Sequence, residues 1–380
     1  MATPLLLPLA TLLTLVVSAA AAACSESDRD ALLSIRAALS DSNNLGVFST
    51  WNHTTNCCST YYGVSCDPAT GRVTSLILRG EAPLDAVMAL SGIPASGLMS
   101  GYISDRVCIL TGLSTLVIAD WKQISGPIPA CLGAQSLPEL RVLELPGNRL
   151  SGEIPPALGT LSRLAVLNLA DNLLSGNIPS EITNLGSLKH LDLANNELTG
   201  SIPAEFGSLK MLSRALLSRN RLSGTIPSSV GLLTRLADLD LAENRLSGPI
   251  PDTLGTSGKK NGVLTSLYLG GNGGISGRIP AGLLRTKGLG IVNLSRNAVE
   301  GPIPDVFTKD SYFILLDLSR NRLTGGVPRS LSSAAYVGHL DLSRNRLCGE
   351  IPRGPPFDRL DAESFAGNSC LCGGPLGKCT

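Results

Sequence analysis

Aromatic side chains are scarce: Phe, Trp and Tyr make up 4% of the 380 residues. A globular core of this size normally buries several of them, so their scarcity points to many leucine layers stacked alike. Histidine is rarer still, with only His53, His190 and His339. His190 and His339 hold equivalent outward positions six repeats apart, and at about 4.8 Å per stacked strand they cannot share a catalytic site. Neither sign of charge is in excess: 31 basic and 30 acidic residues leave a net +1, without the basic footprint of a nucleic-acid binder. Past the N-terminus no apolar run approaches the roughly 20 residues of a membrane span. Cysteine is missing between Cys131 and Cys348.

What is present at the N-terminus is an uncharged segment, Met1 to Ala23, with an apolar run from Leu5 to Val17 and then Ser18 and five alanines. An apolar run ending in small residues predicts a secretory signal peptide over 1–23, cut near Ala23. The run is too short, and too interrupted by Pro4 and Pro8, for an anchor. No later span and no kinase follow before Thr380, so the expected destination is extracellular, in the apoplast or cell wall. The ten cysteines, an even number, then imply disulfides. Zinc is the rival chemistry, but Cys370 and Cys372 are one residue too close for a Cys-x2-Cys arm and no histidine is near; no metal and no cofactor are expected.

The chain repeats itself. Asn148, Asn172, Asn196, Asn220 and Asn244 fall 24 apart, and Asn272, Asn297, Asn321 and Asn345 continue the series. A glycine ladder runs beside it, from Gly152 and Gly176 to Gly325 and Gly349. In the LxxLxL segment alternate leucines point inward from a short strand. The asparagine amide can satisfy backbone groups of the turn, the glycine tolerates positive φ, and Ile-Pro commits the chain to an extended return. One turn cannot bury its leucines alone; stacked turns share a continuous core.

The predicted organisation is an N-terminal cap over 24–72, about ten repeats over 73–347 with a regular 24-residue period from Leu140, and a cysteine cap over 348–380. Extra residues lie in Thr256–Gly262, in Gly273–Ile275 and in the swollen first repeat at Glu81–Met99, where function and simple tolerance of insertion are both open. Trp121 stands where a repeat asparagine is expected. Ser27 and Asp28 are expected to precede an amphipathic helix with Leu32, Leu33, Ile35 and Leu39 on one face.

The run WNHTTNCCSTYYGVSCDPATGRVTSLIL, the repeats LxxLxLxxNxLxGxIP and the ending SFAGNSCLCGGPL resemble the plant extracellular leucine-rich repeat family over essentially the whole mature chain. GYISDRVCILTGLSTLVIADWKQISGPIPACL and YVGHLDLSRNRLCGEIP look like its branch named for DNA-damage repair and toleration; polygalacturonase-inhibiting proteins and receptor-like kinase ectodomains are relatives by architecture. The resemblance implies an α/β solenoid, a right-handed leucine-rich repeat superhelix with a concave parallel β-sheet, a second sheet-like layer and disulfide-stapled caps. It implies the pairs Cys24–Cys57, Cys58–Cys66, Cys348–Cys370 and Cys372–Cys379, leaving Cys108 with Cys131, one repeat apart. Where relatives often carry Trp-x-Gly-Val, this chain has Tyr61-Tyr62-Gly63-Val64.

Function is expected on the concave face. Its middle outward column reads Glu144, Asn168, Asp192, Leu216, Asp240, Tyr268, Asn293, Asp317, Asp341; three residues on, it reads Gly147, Asp171, Asn195, Arg219, Glu243, Gly271, Arg296, Arg320, Arg344. Two readings stand: repeat wording whose charges pair across neighbours, or a mixed-charge binding face anchored by the anomalous Leu216 and Tyr268. The candidate contact patch is Arg214, Leu216, Arg219, Asp238, Asp240, Glu243 and Tyr268. The carboxylates among them lack the closed cleft that acid–base work needs, so no catalytic residues are assigned and no enzyme is expected. Asn52-His53-Thr54 and Asn293-Leu294-Ser295 are glycosylation sequons; a glycan on Asn293 would push partners toward the N-terminal side. The leading expectation is a secreted recognition protein for a protein or peptide, a pathogen enzyme or a cell-surface receptor, in plant defence or signalling, with inhibition of a pectin-degrading enzyme its most concrete form. The alternative is a wall-associated structural protein whose Arg296, Arg320, Arg344, Arg322 and Arg346 contact acidic pectin.

Overall fold

The computed structural model describes residues 23–41, 46–80, 98–255 and 264–379. The leader, Thr256–Gly262 and all but the end of the Glu81–Met99 insertion lie outside them. Among the described residues, twelve strands form one sheet in chain order. The first, Val64–Cys66, is antiparallel to Val73–Arg79; from there eleven strands run parallel to Tyr336–Asp341. Most are three residues long, set by one LxL. Leu143 and Leu145, or Leu191 and Leu193, are fully buried, while the residue between them faces out.

Behind each strand the chain turns through the asparagine and forms a second strand around the glycine. Among the described residues these second strands make sheets of five and seven, the five completed by Leu39–Asp41 of the N-terminal cap, antiparallel at one edge. Gly152 has φ 82° and Gly176 φ 73°, the left-handed backbone that only glycine adopts freely. Ile-Pro follows, and the prolines at 155, 179, 203, 227 and 328 each open a one-turn 3-10 helix on the outer side. The result is a right-handed leucine-rich repeat superhelix whose single core runs from Leu32 to Leu371.

The asparagines bind neighbouring turns together. Asn196 Nδ2 donates to Leu169 O (3.0 Å), Leu193 O (3.2 Å) and Ala194 O (3.2 Å), and its Oδ1 accepts from Leu174 N (3.0 Å). Trp121 fills the missing rung: its buried indole Nε1 donates to Leu78 O at 3.1 Å, so a large, mostly apolar side chain supplies the N–H that the amide supplies elsewhere. The ladder also continues past Asn345. Asn368 donates to Leu342 O and Phe365 O and accepts from Leu347 N, so the C-terminal cap is built on a tenth asparagine. Its strand Cys370–Cys372 extends the second layer beside Arg346–Glu350. The extra residue near Gly273–Ile275 is absorbed by left-handed Gly273, whose N–H bonds Arg296 O. It leaves Asn297 Oδ1 buried without a protein partner.

The N-terminal cap departs from expectation at one point. The helix runs Glu26–Ala38, so Ser27 and Asp28 lie inside its first turn rather than ahead of it. Asp28 is fully buried because Arg72 holds both its oxygens, Nε and a terminal nitrogen each at 2.9 Å, and Val73 N donates to it at 2.8 Å. The carboxylate ties helix to first repeat instead of capping the helix. Trp51 is fully buried, stacked on Tyr61 at 5.0 Å, while Tyr62 stays exposed. Tyr61 thus supplies the aromatic face, and the cap keeps its packing. Disulfides Cys24–Cys57, Cys58–Cys66, Cys108–Cys131, Cys348–Cys370 and Cys372–Cys379 staple both ends, in the pairs the resemblance implies. The sulfurs of Cys24, Cys57 and Cys58 lie together, but all three are consumed in disulfides.

Candidate partner-binding face

The outward columns read from the sequence are columns of the sheet. Strand register aligns Glu144, Asn168, Asp192, Leu216, Asp240, Tyr268, Asn293, Asp317 and Asp341 side by side. Ile77 and Val117 head the same column. Two residues earlier, on the same face, runs a second column of Val142, Val166, His190, Arg214, Asp238, Ser266, Ile291, Leu315 and His339.

Most of the middle column has a local job. Asp192 Oδ1 accepts from Ala194 N (3.1 Å), Asp240 from Ala242 N (3.0 Å), Asp317 from Ser319 N (2.9 Å) and Asp341 from Ser343 N (2.8 Å). Asn168 and Asn293 make the same bond to Ala170 N and Ser295 N. The carboxylates therefore hold the turn that leaves the strand. This corrects the expectation that they are neutralised by arginines of neighbouring repeats: among the described residues Arg296, Arg320 and Arg344 are exposed and make no ion pair. Glu144 is spared the job because Pro146 has no N–H to cap, and it pairs with Arg79 at 2.7 Å.

The next column carries a feature invisible in sequence. Asp171, Asn195, Arg219, Glu243, Arg296, Arg320 and Arg344 all have φ between 53° and 56°, and Gly147 and Gly271 occupy the same left-handed position. Asn, Asp and Gly enter this conformation readily; arginine and glutamate do so at an energetic disadvantage.

The candidate patch assembles on three successive strands. Arg214 and Leu216 stand beside Asp238 and Asp240, which stand beside Ser266 and Tyr268. Arg214 Nε lies 3.3 Å from Asp238 Oδ2. Asp238 also accepts from Ser266 Oγ and from Thr265 Oγ1. Arg219 and Glu243 project, exposed, from the turns that follow. Leu216 and Tyr268 are half-buried. Burial pushes the Tyr268 phenol up, and Asp240 and Asp238 push it further in the same direction.

His190 and Asp192 join this patch, although sequence reasoning treated them as repeat wording. His190 pairs in register with Arg214, and Asp192 with Leu216. Burial lowers the His190 pKa and Arg214 lowers it further, against the pull of Asp192, Glu144 and Asp238. Burial raises the Asp192 pKa despite its bond to Ala194 N. The signal that could have found them was adjacency across the 24-residue period. The floor of the face is thus partly desolvated, which strengthens polar contacts made there.

Sequence comparison places these observations among known proteins. Residues 25–67 match the leucine rich repeat N-terminal domain family, and residues 138–198, 235–257 and 313–334 match leucine rich repeat families. The chain is 53% identical over 127 residues to the DNA damage-repair/toleration protein DRT100 of Arabidopsis thaliana, covering 33% of this chain and 32% of that protein. It is 33% identical to a polygalacturonase inhibitor of Vitis vinifera, over 32% of this chain and 30% of the other. The aligned part spans about a third of the length of these curated relatives. Among solved structures, a plant ice-binding protein superposes with TM-score 0.66 at 29% identity, covering 94% of this chain and 99% of that one. The ectodomain of the Arabidopsis receptor kinase HAESA, in complex with an IDA peptide hormone, superposes with TM-score 0.59 at 31% identity, covering 86% of this chain and 58% of that one. Among the described residues no helix is long and apolar enough to cross a membrane. With its parallel sheet and stapled caps, the chain is a leucine-rich repeat protein, similar to plant polygalacturonase inhibitors, receptor-like proteins and receptor-kinase ectodomains.

Proposed function

We propose that this protein is a secreted, non-enzymatic recognition module that binds a protein or peptide on the central concave face, over Arg214, Leu216, Arg219, Asp238, Asp240, Glu243 and Tyr268. One observation carries the reading. From Asn168 to Asp341, Leu216 and Tyr268 are the two middle-column residues that cannot accept the turn N–H bond their neighbours make. Each forgoes about 1 kcal/mol of stabilisation to present an apolar or aromatic group. They flank Asp240, on adjacent strands. Half-buried anchors among charged groups are the composition of an interaction hot spot. The peptide-bound HAESA ectodomain and the polygalacturonase inhibitors support a protein or peptide ligand, and inhibition of a secreted pectin-degrading enzyme is the most specific form of it.

The test uses the secreted protein as bait for wall extracts and pathogen secretions, and as an added component in polygalacturonase assays. Leu216→Asp with Tyr268→Asn restores the neighbours' turn bond, so this variant is expected to fold at least as stably as the parent. Loss of the captured partner, or of inhibition, in the double variant supports the site. Undiminished capture refutes it.

The exposed arginines support a second reading. Arg296, Arg320, Arg344, Arg322 and Arg346 line the exit turns and second strands of the last repeats, without an ion pair among the described residues. An acidic pectin chain would find them free. Retention on de-esterified pectin that collapses with added salt favours this reading, and indifference to salt removes it.

A further inference from the structure

The concave sheet changes shape at its C-terminal end. The strand Ile291–Asn293 has three residues; the next two, Tyr312–Asp317 and Tyr336–Asp341, have six. The added residues begin three positions earlier and spread an apolar apron over the entry edge of the sheet. Tyr312, Ile314 and Tyr336 are 51%, 55% and 47% exposed, among the largest apolar exposures in the described chain. The two tyrosine rings stack, with centroids 4.9 Å apart and planes 24° from parallel. Glycines frame the apron. A Cβ on Gly338 would sit 2.9 Å from the Tyr336 ring, so glycine lets that ring lie across the strand. On the other flank, Gly290 leaves Ile314 open, with no non-neighbouring atom closer than 3.8 Å to its would-be Cβ. Half-buried Ile291 and Leu315, register partners, carry the apolar surface toward Asn293.

Asn293 is the asparagine of a sequon, Asn293-Leu294-Ser295, and stands at the exit of the strand beside the apron. Its Oδ1 accepts from both Ser295 N (2.9 Å) and Ser295 Oγ (2.7 Å), while Nδ2 makes no hydrogen bond among the described residues. The level of Ile314 is three residues back along the strand, and the Tyr336 ring two strands across. At about 3.3 Å per residue and 4.8 Å per strand, the apron begins some 11–14 Å away. That is within reach of the first few sugars of an N-linked glycan. The occupant is attached to the chain itself. The five disulfides place folding in the oxidising secretory compartment, where such glycans are added.

We infer that Asn293 is N-glycosylated and that the inner sugars of its glycan lie on the Tyr312–Ile314–Tyr336 apron, covering it. In the transfer step, Asn293 Nδ2 attacks the anomeric carbon of an oligosaccharide held on a lipid diphosphate. The N–C bond forms as the C–O bond to phosphate breaks; the diphosphate leaves with the electron pair and the amide gives up one proton. Aromatic faces receive the C–H faces of sugar rings well, because the ring face is the negative end of its quadrupole. The glycan would mask the last repeats and mark the C-terminal border of the central patch, at Tyr268, the register neighbour of Asn293. The inference stands whether or not that central patch binds a partner.

The test compares the protein secreted from a plant host with its Asn293→Asp variant. This substitution removes the sequon yet keeps a side chain that makes the same turn bond at Asp317 and Asp341. Peptide mass mapping reads occupancy at Asn293. Nitration by tetranitromethane reads tyrosine exposure, with Tyr62 and Tyr102 as exposed internal references and unchanged reactivity there as the check on folding. Enzymatic removal of glycans from the folded parent serves as a second route to the same comparison. The expected result is an occupied Asn293 and a several-fold rise in nitration of Tyr312 and Tyr336, relative to Tyr102, when the glycan is absent. A bare Asn293 overturns the modification. An occupied Asn293 with Tyr312 and Tyr336 already as reactive as Tyr102 overturns the covering.

Discussion

Replacing Asn220 by alanine tests how the asparagine ladder stabilises the solenoid. Asn220 makes four hydrogen bonds: Nδ2 donates to Leu193 O (2.9 Å), Leu217 O (3.2 Å) and Ser218 O (3.2 Å), and Oδ1 accepts from Leu198 N (3.0 Å). Treated as four independent buried losses, these would total about 4–12 kcal/mol. The neighbours change that sum. Leu193 O also accepts from Asn196 Nδ2, Leu217 O from Asn244 Nδ2, and Ser218 O from Asn195 N. Only Leu198 N–H is left with nothing. The expected loss is therefore about 2–3 kcal/mol, one orphaned donor plus a small void. Adding Asn244→Ala removes the second donor to Leu217 O, which each single variant still leaves bonded, so the double variant should lose about 1 kcal/mol more than the sum of the two single losses. Asn148→Ala with Asn345→Ala, far apart and sharing no carbonyl, should be additive. Urea denaturation followed by circular dichroism gives the energies, and hydrogen exchange of the Leu198 amide reports the orphan directly. Strict additivity of the 220/244 pair, or a Leu198 amide that keeps its protection in Asn220→Ala, would refute the shared-carbonyl account.

Other variants probe other parts of the fold. Arg296→Asn, Arg320→Asn and Arg344→Asn place at a left-handed φ the residue that Asn195 already shows there, and each should raise stability by up to about 1 kcal/mol; a lowered melting temperature would contradict the strain. Asp28→Ala strips Arg72 and Val73 N–H of their shared buried acceptor and should lose about 3–5 kcal/mol, with faster proteolysis within residues 24–72; an effect below 1 kcal/mol would mean the ion pair does not dock the helix. His190 has a folded pKa below its ordinary 6.5, so the unfolded chain binds the proton more tightly, and its contribution to stability is present above pH 6.5 and lost as pH falls from there through the lower folded value. Replacing it by valine, the residue of Val142 and Val166 in the same column, should flatten the melting-temperature profile below the ordinary histidine value, whereas an unchanged pH profile would assign the acid sensitivity elsewhere.

The repeat was legible because one physical demand, burying leucines by stacking, recurs every 24 residues and leaves both an asparagine and a glycine on a fixed beat. Where the demand is met by other means the pattern goes quiet. Trp121 was visible as an anomaly, but its role as hydrogen-bond donor depends on where its indole points. Asn368 was missed because the cap around it has Phe365 where the repeats have leucine and no LxxLxL upstream. The 23-residue step from Asn345 was the available signal. Asp28 was assigned to a helix cap by local rules, since its partner Arg72 lies 44 residues away.

The concave face divides along the same line. Which residues share a column follows from the period, and the period was plain. What each residue does there depends on its own turn: whether residue i+2 carries an N–H, as after Asp240, or not, as at Pro146 after Glu144. Counting charges along the column could not separate a carboxylate that holds a turn from one free to meet a ligand. With the turn bonds assigned, the acidic stripe becomes mostly scaffold, and two breaks in it carry the information. Leu216 and Tyr268 stand out because they abandon a bond the fold offers at that position, on either side of a repeat that keeps it. Between Asn168 and Asp341 these two side chains cannot accept that N–H while their neighbours do, so under the proposed function they are the positions where a partner should be sought first.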